Sequence, residues 1–203
     1  PGRITALLSA ATRSALPNSW LAPANVTAAP SAEPINWRRV GVSSRVMAGR
    51  RVFVSGVGGE LGTLVANLLE DEPWVGSLSG IDADPPRRRL QRTTFHRISP
   101  DDHDTIVDTV TKFNPHVLVH VGVWEPDARA APRVAAALTD QAAVSVLGAA
   151  AECRALDSII VRSGIEIYGR GPGSLTRPDE DAPLRPTSEW GRTVADIERT
   201  AAN

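Results

Sequence analysis

Four residue types are almost missing from this chain: it holds one cysteine, one methionine, one tyrosine and one lysine. Cys153 has no partner for an internal disulfide, which excludes a disulfide-stapled scaffold and fits a reducing compartment, with the cytoplasm as the expectation. Tyr168 and Lys112 each stand alone, so chemistry that needs a tyrosine beside a lysine must use those two or go without. Excess charge is also scarce, the formal net being −1. That charge is unevenly placed. Residues 1–50 carry six arginines against Glu33, about +5, which leaves about −6 on the remainder. A net-acidic body with no basic stripe argues against nucleic acid as the main partner. There is no run of 18 or more apolar residues, so the sequence offers no membrane span.

What is present suits a globular domain: 42% of the 203 residues are hydrophobic, a length that allows one domain and some excess. Residues 1–46 are Ala/Pro/Ser-rich, with five prolines and no sustained hydrophobic period. They read as a low-complexity extension, and three origins compete. One is an organelle transit peptide with a helix over Ile4–Leu16, another a disordered tail. The third, and the expectation, is a non-native leader, since the only methionine, Met47, stands just before the first strand. Asn25-Val26-Thr27 matches a glycosylation sequon that a reducing compartment would not use.

The informative stretch is Arg51–Asp82. A short strand, Arg51–Ser55, runs into three evenly spaced glycines, Gly56, Gly59 and Gly62. Leu61, Leu64, Val65, Leu68 and Leu69 then fall at helical spacing. Pro73 closes the helix, and a second apolar run ends in Asp82, 20 residues after Gly62. Strand, glycine turn, helix, strand and acid are the plan of a dinucleotide-binding βαβ unit. Gly56 lets the chain turn sharply, Gly59 leaves room for a pyrophosphate, and Gly62 lets the helix pack closely on the sheet. The amides of the first turn, including Glu60 and Leu61, and the helix dipole attract the phosphates. Asp82 is placed to accept hydrogen bonds from a ribose, which favours NAD over NADP. The spacing is G-x-x-G-x-x-G instead of G-x-G-x-x-G, so the surrounding frame carries the reading.

Further strands are expected at Thr93–Ile98, Val117–Val123 and Ser158–Arg162. The nearly all-apolar Val117–Val123 reads as a central strand covered on both faces. Helices are expected from Ser99, as cap with Pro100 at the first position, over Pro132–Ala151, and over Ser188–Ala202. Val134, Leu138, Ala142, Val146 and Ala149 form the packed side of the second of these. The acids at 101–104 then belong to a helix start. His116 and His120 on one strand stand about 13 Å apart, too far to share a metal, and no metal site is expected. Pro85 to Arg89 reads as a solvated turn, since a 2′-phosphate clamp there would put the phosphate against Asp82.

Taken in order, the motifs Gly56-x-x-Gly59-x-x-Gly62, Gly80-Ile81-Asp82, His120-Val121-Gly122, Ser163…Tyr168-Gly169 and Glu180–Pro186 resemble those of the extended short-chain dehydrogenase/reductases, the NAD-dependent epimerase/dehydratase group. Within it the chain is similar to divergent actinobacterial UDP-glucose 4-epimerase-like proteins. The resemblance implies an α/β fold: a Rossmann-type, doubly wound parallel sheet of about five strands in the order 3-2-1-4-5, over residues 47–203. It implies NAD as cofactor, with Ile98, His120, Val121, Gly122 and Ser163 joining the glycine turn in holding it, and a nucleotide-sugar as a further ligand. Edge-to-edge association into a homodimer is allowed.

The family's catalytic residues are a Ser/Thr after strand five and a Tyr-x-x-x-Lys on the next helix. Here Gly164, Trp190 and Val194 occupy those positions. Indole exchanges no proton near neutral pH and valine carries no charge. The acid that often contacts adenine after strand three is also lacking, where Arg97-Ile98 stands, leaving the Ile98 backbone for that contact. The chain also ends before the substrate lobe that family members add, which favours a fragment. The expectation is a NAD-binding member with a degenerate active site. The alternatives are an active epimerase or reductase with its acid/base moved to His120, Tyr168 or Asp181, or an NAD-sensing regulator or scaffold.

Overall fold

The computed structural model describes residues 49–125 and 130–203; the expected extension over 1–46 and the domain start at Met47 lie outside the described residues. In chain order the elements are β1 (Arg50–Ser55), α1 (Glu60–Glu70), β2 (Val75–Asp82), β3 (Thr93–Arg97), α2 (His103–Phe113), β4 (Val117–His120), α3 (Pro132–Ala151), β5 (Ser158–Val161), a 3-10 turn (Ile165–Tyr168) and α4 (Glu189–Ala202). All strand pairs are parallel and the sheet order is β3-β2-β1-β4-β5. This is the expected Rossmann-type arrangement, and its connections change direction between β1 and β4.

Strand alternation divides the core in two. Phe53 and Leu118 point to one face and pack with Ile106 and Val110 of α2, Val146 of α3 and Ile197 of α4. Val52, Val54, Val117 and Val119 point to the other, where Leu61, Val65 and Leu69 of α1 cover them. With both faces covered, the central strands are the nearly continuous apolar runs the sequence shows. The α3 helix is long and apolar enough to cross a membrane, its window having a mean hydropathy of 1.4, but 56% of that window is buried inside the fold. It packs here as a core helix.

Several boundaries differ from expectation. Leu64 and Leu68 are 47% and 61% exposed, because α1 lays Thr63, Ala66 and Glu70 on the fold instead. Ser99 does not cap a helix. Residues 99–102 make a turn closed by the Asp102 N–H to Ser99 O at 3.1 Å, and α2 starts at His103 with the Asp102 carboxylate accepting from the Thr105 N–H at 3.2 Å. Asp is as good a cap as Ser, and burial of Pro100 favours the later start. β4 stops at His120 because its neighbour β1 ends at Ser55, which accepts one more bond from the Val121 N–H at 2.9 Å. β5 ends at Val161 and β3 at Arg97. Val134, placed on the packed side of α3, is 51% exposed, while Ala135 and Thr139 are fully buried.

One anchor was not legible as such. Glu70, only 5% exposed, accepts hydrogen bonds from the N–H groups of Gln91, Arg92 and Thr93 and from the Thr93 hydroxyl, tying the end of α1 to the start of β3. Burial raises its pKa, but those hydrogen bonds together outweigh it and hold the carboxyl below its ordinary value. Glu70→Ala leaves three part-buried amides without their acceptor and is expected to cost about 1–3 kcal/mol in urea unfolding. Gly148, an exposed helical residue with open space around it, gives the opposite expectation. Gly148→Ala should stabilise by about 0.5–1 kcal/mol.

Candidate functional site

The carboxyl ends of the strands meet the glycine turn. Gly56 has φ +88°, which only glycine adopts freely, and a Cβ there would stand 2.3 Å from Gly122 Cα. The turn therefore lies directly on the chain leaving β4. At Gly62 a Cβ would meet Gly56 O at 1.9 Å, so this glycine lets α1 close onto the turn itself and not, as expected, onto the sheet. Gly59 differs from both: its φ of −72° is ordinary and the nearest atom to a Cβ is Gly56 O at 3.5 Å. Among the described residues it leaves open space at the amino end of α1. Glu60, Leu61 and Gly62, in the first turn, have no carbonyl one turn back to receive their N–H groups, and Gly59 supplies no side-chain cap.

Asp82 reaches across from β2. Its Oδ2 accepts from the Gly58 N–H at 2.9 Å and its Oδ1 from the Asp84 N–H at 3.0 Å. Burial pushes the carboxyl above its ordinary range, against the pull of those hydrogen bonds. A carboxylate has about four lone-pair sites, so sites remain for ribose hydroxyls. Gly58 is a site residue that the evenly spaced trio hid. A Cβ there would stand 2.2 Å from Asp84 O and 2.8 Å from the Asp82 carboxyl carbon. Thr63 was also missed: fully buried, it donates to Val57 O at 2.8 Å and accepts from the Arg87 N–H at 2.9 Å, binding the turn to the loop at 85–89. The arginines of that loop are exposed, and Arg88 makes one long ion pair with Glu60, at 3.9 Å.

At the end of β4, His120 is fully buried with Nδ1 3.1 Å from Ser55 Oγ. Among the described residues its Nε2 has no hydrogen-bond partner, and neither does the buried Ser163 Oγ beyond β5. Val121 turns its side chain into the core. Ile98 lines a narrow crevice of about 20 Å³, together with Asp82, Ile106 and Trp124. The Ile98 N–H donates to Asp82 O at 3.0 Å and extends the strand ladder by one bond. Trp124 is the third residue missed, since nothing in its local sequence marks it.

The remaining candidates gather where the 3-10 turn meets α4. A Cβ at Gly164 would stand 2.6 Å from Glu166 Oε2, so a carboxylate rests where a serine side chain would begin. Glu166 also pairs with Arg170. Trp190 packs with Tyr168 on Ile167, Val194 and Ala195, and Val194 is 2% exposed. Burial, reinforced by Glu198, Asp179 and Glu180, raises the pKa of Tyr168. Asp181 is exposed on the preceding loop. His116 accepts the Arg51 N–H at Nδ1, 3.0 Å away. Among the described residues no cluster of three His, Cys, Asp or Glu side chains could hold a metal ion.

A parallel sheet with a glycine turn opening α1 and an acid closing β2 defines the Rossmann class of dinucleotide-binding folds. The family model for the NAD dependent epimerase/dehydratase family matches residues 52–203, and the chain belongs to that family. No curated protein matches. Among solved structures, the chain is similar to the Bordetella bronchiseptica enzyme WbmH in complex with NAD+, at 22% identity and TM-score 0.63, covering 75% of this chain and 52% of that one. It is similar to WbmG of the same organism in complex with NAD and UDP, at 22% identity and TM-score 0.60, over 76% and 50% of the two chains. It is also similar to Thermotoga maritima UDP-glucose 4-epimerase with UDP-glucose, at 17% identity and TM-score 0.60, over 73% and 49%. The chain thus spans about half the length of these relatives.

Burial alone holds the His120 pKa down at about 4, against 6.5 for the ordinary imidazole. The unfolded chain therefore takes up this proton first, and its contribution to stability, complete above pH 6.5, is lost progressively as pH falls towards 4. Urea unfolding at pH 7 and pH 4 should show a drop of which roughly 3 kcal/mol disappears in His120→Gln.

Proposed function

We propose that this chain binds NAD along the carboxyl edge of its sheet and does not by itself perform the tyrosine–lysine hydride chemistry of its family. One observation carries the reading: the glycine turn and Asp82 are complete, while Gly164, Trp190 and Val194 supply no proton donor, no acceptor and no ammonium. The residues suit the cofactor. The cradle at Gly59 and the amides of Glu60, Leu61 and Gly62 take the diphosphate. The Asp82 carboxylate takes the ribose hydroxyls and repels a 2′-phosphate, which favours NAD over NADP. The unpartnered Ser163 Oγ and His120 Nε2 offer polar contacts toward the other end, beside Gly122. Bound there, the nicotinamide supplies a hydride acceptor, and a nucleotide-sugar is the second ligand in this reading.

A relocated acid/base has less in its favour. His120 is buried and neutral at physiological pH. The Tyr168 hydroxyl is shifted away from the low pKa that a general base needs.

Calorimetric titration of the full chain with NAD should give saturable heat, with NADP at least about tenfold weaker. A panel of UDP-sugars with added NAD should show no turnover. Gly59→Ala separates the cradle from the fold. Its Cβ has room and an allowed φ, so the stability cost should be limited to about 1 kcal/mol, that of alanine at a helix N-cap, while NAD affinity falls by about tenfold or more as the methyl group enters the diphosphate seat. Absence of both heat and thermal shift on adding NAD refutes the binding. Turnover abolished by His120→Ala or Asp181→Ala refutes the loss of chemistry.

A further inference from the structure

Three polar side chains stand in a row beneath the carboxyl edge, on the sheet face covered by α2, α3 and α4. Phe53, Leu118 and Val161 belong to the core on that face. Side chains alternate along a strand, so Ser55, His120 and Ser163, each two residues further on, share it. Ser55 is paired with His120 across β1 and β4, and His120 with Val161 across β4 and β5. The Arg162 N–H donates to His120 O at 2.8 Å and carries the ladder past β5. All three residues are buried, His120 completely.

The row is half connected. His120 Nδ1 meets Ser55 Oγ at 3.1 Å, whereas among the described residues His120 Nε2 and Ser163 Oγ have no hydrogen-bond partner. Burial keeps the imidazole neutral near pH 7, so it has one N–H and one acceptor nitrogen. Among the described residues this contact is the only hydrogen bond of Ser55 Oγ. The Ser55 hydrogen is therefore used only if it donates to Nδ1, which puts the imidazole hydrogen on Nε2. That arrangement leaves one buried donor to be met, and a buried donor left unmet is costly. His120 and Ser163 lie on adjacent strands, two residues apart along them. Their Cα atoms are thus roughly 8 Å apart, within reach of long side chains but closed by no direct bond. One water, with two hydrogen bonds at its tetrahedral angle, bridges polar atoms about 4.5–5 Å apart.

We infer that one buried water joins His120 to Ser163, accepting from the Nε2–H and donating to Ser163 Oγ. Ser55, His120, the water and Ser163 then form one chain across β1, β4 and β5. Buried water is held where polar groups converge, while apolar cavities stay dry. The chain ties together the strand ends that carry Gly56, Gly122 and Gly164. It runs directly under the exit from β4, since a Cβ at Gly122 would stand 3.2 Å from Ser55 Oγ. The inference goes beyond the NAD reading because it holds for the chain without a ligand. Any cofactor contact to these two atoms runs through the water.

The test is nitrogen-15 NMR of the full chain near pH 7, with His120→Gln used to assign the ring signals. His120 should be the Nε2–H tautomer, and its N–H should show cross-relaxation to water with the sign of a long-lived, protein-bound molecule. In Ser163→Ala that peak should weaken, since the water loses a partner. Urea unfolding gives a second readout. The midpoint of Ser163→Ala should fall, whereas removing a hydroxyl that is unpaired in the core would leave it unchanged or raise it. An Nδ1–H tautomer overturns the inference, and so does a Nε2–H whose contact is another protein group instead of water. An unchanged or raised midpoint in Ser163→Ala overturns it as well.

Discussion

The hydrogen bond from the Gly58 N–H to the Asp82 carboxylate, 2.9 Å long, sets the shape of the site. It joins the end of β2 to the turn between β1 and α1, beside the backbone bonds that the Gly56 and Val57 N–H groups give to Ile81 O at 2.9 and 3.3 Å. The Asp84 N–H steadies the other oxygen. The arrangement requires glycine at position 58, where a Cβ would run into the carboxyl group and the Asp84 carbonyl, and at 56 and 62, where it would strike backbone. Burial works against the charge that does this, since desolvation raises the carboxyl's pKa. A ligand whose hydroxyls donate to the remaining lone pairs would stabilise the charged form.

The two halves of the carboxyl edge have diverged. On the β1–β2 side the geometry is tight, and most glycines are forced by distances below 3 Å to the next backbone atom. On the β5–α4 side Gly164, Trp190 and Val194 are engaged in packing. Val194 is buried among Ile167 and Ala195, the Trp190 indole lies on the same cluster, and the Glu166 carboxylate stands over Gly164. The helix still seats closely there, since a Cβ at Gly191 would stand 2.6 Å from Glu166 O. This end of the sheet is therefore an ordered joint.

Much of this was legible in the sequence, for physical reasons. The strand–turn–helix–strand–acid order and the apolar β4 run depend on local periodicity and on glycine's access to positive φ, and both survive folding. The same holds for Pro132–Ala151, whose bounds match the helix that forms. What escaped depends on contacts distant in the chain. Gly58 matters only through Asp82, 24 residues on, and Glu70 only through amides at 91–93. Trp124 acquires its place from the crevice it lines with Ile106 of α2 and Val146 of α3. The α2 start was misplaced because two competent caps, Ser99 and Asp102, lie three residues apart and the burial of Pro100 is not written locally.

The central claim is that the Asp82 carboxylate both shapes the turn and receives the ribose. Calorimetry with NAD on the unaltered chain and on Asp82→Asn tests it most directly. The account predicts saturable binding by the first and a loss of about tenfold or more in the second, since the amide's NH₂ accepts from neither a backbone N–H nor a ribose hydroxyl and its single oxygen cannot replace both carboxylate oxygens. Equal NAD affinity in the two proteins would contradict it.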